Sequence, residues 1–207
     1  MPLTTYTSGE ILTASSLNSN LSFAAQSGGL VSVAPTTVGK TGASSTATAS
    51  TNGQVTFGLC ETLLLNDVFT SAYSNYRIVW AGFASTGASL LARLSVGGTP
   101  SSASSYSRQQ IVASSTTVAA VRETAQTSWN VANNISATDG ENFSMDIFNP
   151  QVTKNTSLNV ISHSNASGAY WQSVTATFGA STSFDGIQFL ASTGNFSGTI
   201  TVYGYNQ

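Results

Sequence analysis

Residues 76–100 read YRIVWAGFASTGASLLARLSVGGTP. Tyr76, Ile78, Trp80 and Gly82 share one parity; Arg77, Val79, Ala81 and Phe83 share the other. Leu90, Ala92, Leu94 and Val96 alternate in the same way and run into Gly97-Gly98-Thr99-Pro100, a turn signal. Successive side chains of an extended chain point to opposite sides, so a period of two marks strands and not helices.

The pattern continues in both directions. Upstream, Gln54–Cys60 reads as a first strand. Downstream come Tyr106–Ala113, then weaker runs at Val118–Val121 and Ser128–Val131. Phe143, Met145 and Ile147 alternate with Ser144, Asp146 and Phe148, and Asn149-Pro150 closes that run. Ser157–His163, Tyr170–Phe178, Gly186–Leu190 and Gly198–Tyr205 complete the set. Short strands at about ten-residue spacing with no helix between them predict an all-β fold, an antiparallel jelly-roll-like β-sandwich over residues 54–207.

Two further segments precede the expected sandwich. Residues 1–26 read as an arm with a short helix: Thr13 is a good N-cap, and Leu12 and Leu17 occupy the positions of a hydrophobic staple. Leu17, Leu21 and Ala24 then share one helical face. Such a helix is too short to be stable alone and needs a surface to pack on. Residues 27–53 are rich in Gly, Ser, Thr and Ala and read as an extended connector.

The chain has 207 residues, of which 41% are hydrophobic and only 7% charged; a typical soluble domain carries ~25% charged residues. Ser and Thr fill the difference. With so little charge, either much of the surface is covered in an assembly, or hydroxyl and amide groups keep it soluble. Several strands are apolar on both faces. In Phe196–Tyr205, Ile200 and Val202 lie on one parity and Tyr203 and Tyr205 on the other. A free sandwich has one wet face per sheet, so these four are candidate subunit-interface residues.

Other classes are disfavoured. Net charge is −2 and Arg77, Arg93, Arg108 and Arg122 are scattered, against nucleic-acid binding. No run of 18 apolar residues suits a membrane span, and MPLTTYTSGE has no signal-peptide pattern. Cys60 is the single cysteine, expected as a small core residue. His163 is the single histidine, expected at the surface or an interface. A transition-metal site therefore lacks ligands, and there is no G-x-S-x-G run. Asp139, Glu141, Asp146 and Asp185 are the acids a glycan hydrolase would draw on, but Asp139-Gly140 is explained as a turn. Oxygen ligands for calcium around Asn133–Glu141 do not have EF-hand spacing. The expectation is a non-enzyme with no cofactor and no metal. Trp129, Tyr170 and Trp171 are candidate glycan contacts, because sugar rings stack on aromatic faces; core or subunit packing is the alternative.

Two stretches resemble a known family. Thr7-Ser8-Gly9-Glu10-Ile11-Leu12-Thr13-Ala14-Ser15-Ser16-Leu17-Asn18 resembles the N-terminal segment of phage tail-fibre and related tail proteins. Val55-Thr56-Phe57, Val68–Ser71, Tyr73–Val79 and Phe196–Tyr205 resemble the small C-terminal domain of phage fibre and minor tail proteins. The resemblance implies a homotrimer at the virion surface. Its anchor would be Glu10, Ile11, Leu12, Thr13, Leu17, Asn18 and Leu21, against other phage structural proteins of the tail, baseplate or capsid. It implies a short tail fibre or receptor-binding knob that meets a bacterial surface glycan. The absence of a shaft keeps a capsid-decorating cement protein as the alternative, and a surface-glycan hydrolase ranks third.

Overall fold

The computed structural model describes residues 13–18, 29–138, 140–164 and 170–206. Residues 14–18 form one helical turn. The strands follow in chain order. The first five are β1 (Leu30–Val33), β2 (Val38–Thr41), β3 (Thr46–Ala49), β4 (Val55–Cys60) and β5 (Thr62–Leu65). Then come β6 (Asn75–Ala84), β7 (Ala88–Val96), β8 (Thr99–Pro100), β9 (Tyr106–Ser114) and β10 (Thr117–Gln126). The remainder are β11 (Trp129–Ile135), β12 (Glu141–Phe148), β13 (Thr156–Ser164), β14 (Tyr170–Phe178), β15 (Gly186–Ala191) and β16 (Phe196–Tyr205).

They form two antiparallel sheets packed as a sandwich. The ten-stranded sheet runs β10-β9-β14-β13-β12-β6-β16-β4-β3, with β1 also on β16. Two strands share the far side of β16: Phe196–Ile200 pairs with β4, and Val202–Tyr205 pairs with β1. The six-stranded sheet runs β11-β7-β15-β5-β2, with β8 folded back on β7.

The aromatic residues form the core between the sheets. Trp80 lies between Phe57 and Phe143, with ring centroids at 6.5 and 5.4 Å. Phe143 reaches Phe189 of the smaller sheet at 6.2 Å. A second group joins Tyr106 to Trp129 and Phe178 at 4.9 and 4.8 Å, and Phe178 to Phe184 at 5.0 Å. Buried polar tips find backbone partners. Tyr76 Oη donates to the Thr70 carbonyl at 2.5 Å, and Trp129 Nε1 donates to the Thr177 carbonyl at 3.0 Å. Cys60 is buried in this core, as expected.

Gly82 and Gly198 face each other across β6 and β16. A Cβ on Gly82 would meet the Ser197 carbonyl at 2.2 Å, and one on Gly198 would meet the Ala81 carbonyl at 2.2 Å. The close approach beside Trp80 therefore requires glycine at both positions.

Three sequence expectations change here. The expected connector supplies β1, β2 and β3, so pairing into the sandwich begins at residue 30 and not at 54. Its Val and Thr residues favour extended backbone, but four-residue strands without apolar alternation carry too little local signal. Ile200 and Val202 are each 1% exposed, so they belong to the chain's own core and not to a subunit interface. Trp129 is likewise 1% exposed and is not a glycan contact. The opposite sheet covers each of them, the smaller one over Ile200 and Val202 and the larger one over Trp129, and no parity count reveals that cover. Trp80→Ala should lower unfolding free energy by about 3–5 kcal/mol, the range for an emptied aromatic site; urea denaturation measures it.

Candidate assembly surface

The outer face of the ten-stranded sheet has an unusual composition. Register aligns Val79, Ser144, Ile161, Ser173, Ile111 and Ala120 in one cross-strand row over β6, β12, β13, β14, β9 and β10. Large and small residues alternate along it. Neighbouring strands lie ~4.8 Å apart, so the aliphatic knobs recur roughly every 10 Å with a hollow between them. Val79, Ile161 and Ile111 are all exposed, Ile161 to 55%. The hollow over Ser144 has a volume of about 330 Å³ and is walled by Val79, Asn142, Ile161 and His163.

A second row lies beside the first. It aligns Ala81, Asn142, His163, Trp171, Ala113 and Val118. Val118 is 71% and Trp171 43% exposed, and Phe83 continues the apolar area along β6. His163 is exposed within this row. Contiguous exposed apolar area on a sheet marks a contact surface, whereas scattered apolar residues need no explanation.

The third row is polar and internally neutralised. Arg77 donates from Nε and Nη2 to the two Asp146 carboxylate oxygens, each at 2.8 Å. Tyr205 Oη donates to Asp146 Oδ1 at 2.5 Å, and the Arg77 guanidinium lies 5.6 Å from the Tyr205 ring centroid. Burial alone would raise the Asp146 carboxyl; the Arg77 and Tyr205 hydrogen bonds outweigh it and hold the group below its ordinary range. Tyr203 pairs with Arg77 in this row. Tyr203 and Tyr205 thus lie on the outer face, half-buried.

Beneath the same strands the inner face carries a polar track among its apolar residues. Arg108 donates to Glu123 Oε2 and Oε1 at 2.8 and 3.0 Å, and its Nη1 donates to Gln110 Oε1. Gln110 Nε2 donates to Gln172 Oε1 at 2.5 Å, and Gln172 Nε2 to the Asn133 carbonyl at 3.4 Å. The Arg108 hydrogen bonds hold the Glu123 carboxyl low. At the far end of this track Glu141 is fully buried. Both its carboxyl oxygens lack a hydrogen-bond partner. Burial raises its pKa to about 8, although the nearby Ser162 and Gln172 partly favour the charged form. Its seclusion between the sheets does not suit acid catalysis on a polymer. Among the described residues no three His, Cys, Asp or Glu come together as a metal group.

The remaining candidates are dispersed. Tyr170 and Trp171 are adjacent on β14 and so point to opposite faces, which leaves no joint aromatic platform with Trp129. Thr13 caps its helical turn: Oγ1 accepts the Ser16 N–H at 3.2 Å, and its carbonyl accepts the Leu17 N–H at 3.0 Å. Leu17 and Asn18 are exposed on that turn. Glu10, Ile11, Leu12 and Leu21 lie outside the described residues. Sequence reasoning missed Ile111 and Ile161 as surface residues. The available signal was an isolated aliphatic on the parity opposite the strand's other apolar residues.

No protein-family model matches the chain, and no curated protein matches it. Three solved structures show distant similarity to the chain. A protein of unknown function from Shewanella oneidensis MR-1 is 11% identical, covering 86% of this chain and 78% of that one at a TM-score of 0.38. Basic winged bean lectin with Tn-antigen is 8% identical, covering 87% and 98% at 0.29. Peanut lectin with a nine-residue peptide is 11% identical, covering 80% and 91% at 0.28. The all-β sandwich rests on the two sheets themselves.

The buried Glu141 makes stability depend on pH with a defined sign. Its carboxyl stays neutral in the fold up to about pH 8, whereas an ordinary Glu ionises near 4.5. The unfolded chain therefore loses this proton first. The contribution is complete below 4.5 and is lost as pH rises to about 8, at about 1.4 kcal/mol per pH unit. Glu141→Gln, which cannot ionise, should be the more stable protein at pH 8, with the two converging in acid. Parallel urea curves of both proteins across that range in the wild type and the variant would refute this.

Proposed function

We propose that this chain is a structural component of a bacteriophage particle, a short tail fibre or tail knob that works as associated copies held by the N-terminal arm. The observation that carries the assembly part is the knob-and-hollow row of Val79, Ser144, Ile161, Ser173 and Ile111. A face that alternates large and small side chains is complementary to a copy of itself, each knob entering a hollow opposite. The flanking charges Arg77 and Asp146 already neutralise each other, so they do not repel a second copy. The low overall charge fits the same reading. The resemblance of residues 7–18 supports the particle and the anchoring role, and that of the C-terminal strand supports a trimer.

A second reading is favoured by the dispersal of the candidate glycan contacts. With Trp129 in the core, and Tyr170 and Trp171 on opposite faces, receptor binding loses its main support. A capsid-decorating protein with the same self-associating face needs no ligand. Copy number per virion, by quantitative mass spectrometry against the major capsid protein, separates the two. A few copies up to a few tens indicate the tail, and hundreds the capsid; absence from purified particles refutes both.

Two variants test the surface and the arm. Ile161→Asp replaces an exposed side chain and should leave the chain folded. Light scattering should give a single-chain mass of 21.3 kDa in place of the multiple found for wild type. A monomeric wild type, or an unchanged multiple in both Ile161→Asp and Val79→Asp, excludes this face. Deleting residues 1–26 leaves all sixteen described strands in place. The truncated protein should self-associate normally and fail to enter particles; normal incorporation would remove the anchoring role.

A further inference from the structure

Both sheets end in open edges, and one edge is long and unprotected. The larger sheet stops at β10 and β3, the smaller at β11 and β2. β2 and β3 have four residues each. β11 shifts register twice against β7. β10 has ten residues, and residues 117–123 pair with β9 without a break. The register shifts only after Glu123, where Ala125 has a φ of 55°. Every residue of β10 is exposed or half-exposed, and among the described strands none lies beyond it. A free edge presents unpaired N–H and C=O groups, and native sheets blunt it with Pro, Lys or another charge. Residues 117–121, Thr-Val-Ala-Ala-Val, carry none of these.

The side chains of this edge match a copy of themselves in one register. Two copies of a strand pair antiparallel about a two-fold axis, and directly opposed residues lie on the same face. Only a two-fold that sets one residue opposite itself keeps both outer faces on one side. Ala120 ends the first outer row after Ile111, and Val118 ends the second after Trp171 and Ala113. Centring the pair on Ala119 places Ala120 opposite Val118 of the second copy. The row then runs from Ile111 and Ala120 into Val118, Ala113 and Trp171 of that copy, and large and small side chains keep alternating across the seam. Other centres break the pattern. Val118 as centre sets two large side chains together, and Ala120 sets two small ones together. Val121 puts Arg122 against Ala120, and Arg122 opposes like charges. With Ala119 at the centre, Arg122 falls outside residues 117–121 and the two arginines lie at opposite ends of the contact.

We propose that β10 is a second self-contact, through which two copies join edge to edge about Ala119 and run their larger sheets into one. The backbone supplies the hydrogen bonds, and the alternating rows set the register. The outer face stacks one sheet on another, whereas this contact extends the sheet in its own plane. The paired stretch is short, and an isolated two-stranded pairing is marginal in water. The contact therefore acts where many copies are held close together and not between dilute free chains.

Disulfide trapping in concentrated protein reads the register. The full chain carries Ile161→Asp, which removes the outer-face contact, together with Val118→Cys, Ala119→Cys, Ala120→Cys or Val121→Cys. All four positions are exposed or half-exposed, and the native Cys60 is buried. Under mild oxidation Ala119→Cys should form covalent dimer roughly tenfold faster than the other three, because only there are identical positions directly opposed and within disulfide reach. Thr117→Cys and Val121→Cys should cross-link when mixed and not separately. Light scattering reports the outer face, and the pattern of cross-links reports the edge, so either contact can fail without the other. Equal rates at the four positions, a maximum at any position other than Ala119, or no dimer from Ala119→Cys overturns the proposal.

Discussion

The C-terminal strand lies in the middle of the larger sheet, and the rest of the architecture depends on that placement. β16 pairs with β6 on one side and with β4 and β1 on the other. The first strand of the sandwich is thus hydrogen-bonded to the last, and the sheet stays divided until the final ten-residue strand enters. Such long-range closure costs chain entropy before any pairing repays it, which places the fold among slow-forming β topologies. The same junction sets the facing glycines Gly82 and Gly198 and seats Trp80 between Phe57 and Phe143.

Toward β10 the larger sheet carries a polar track within its apolar inner side and aliphatic residues on its outer side. Its inner side carries Arg108, Gln110, Gln172 and Glu141, while its outer side carries Ile111, Ile161 and Trp171. Burying polar groups is tolerable only where they bond to one another, and the Arg108–Gln110–Gln172 chain does so. Glu141 avoids burying a charge by remaining protonated, although its carboxyl oxygens lack hydrogen-bond partners. The outer aliphatics have no such internal remedy, because only another surface can remove them from water. On β9 the parity that holds Arg108 and Gln110 inward turns Ile111 outward.

The smaller sheet has a different character. Its inward residues are uniformly apolar, with Leu63, Leu65, Leu90, Leu94, Ile187 and Phe189 all buried. At one end of it the Gly97–Gly98 turn, Asn66 and Asp185 come close together. The two sheets thus differ on their outer sides: the larger one exposes aliphatic side chains, and the smaller one closes the core and carries polar groups at its rim.

The sequence by itself determined the class of fold. Period-two runs such as Tyr76–Phe83 and Phe143–Phe148 are local, and each became a strand near its expected limits. It also determined the character of single residues set by size and polarity alone, such as Cys60 in the core and His163 at the surface. The tertiary structure decided which parity faces inward where both are apolar. Ile200 and Val202 turned in while Ile111 and Ile161 turned out, because sidedness depends on what the opposite sheet covers. It decided that β1, β2 and β3 are strands, since four-residue segments are stabilised by distant partners and not by their own pattern. It alone brought Asn66, Ser95 and Asp185 to one sheet end, because residues so far apart in the chain meet only through strand order.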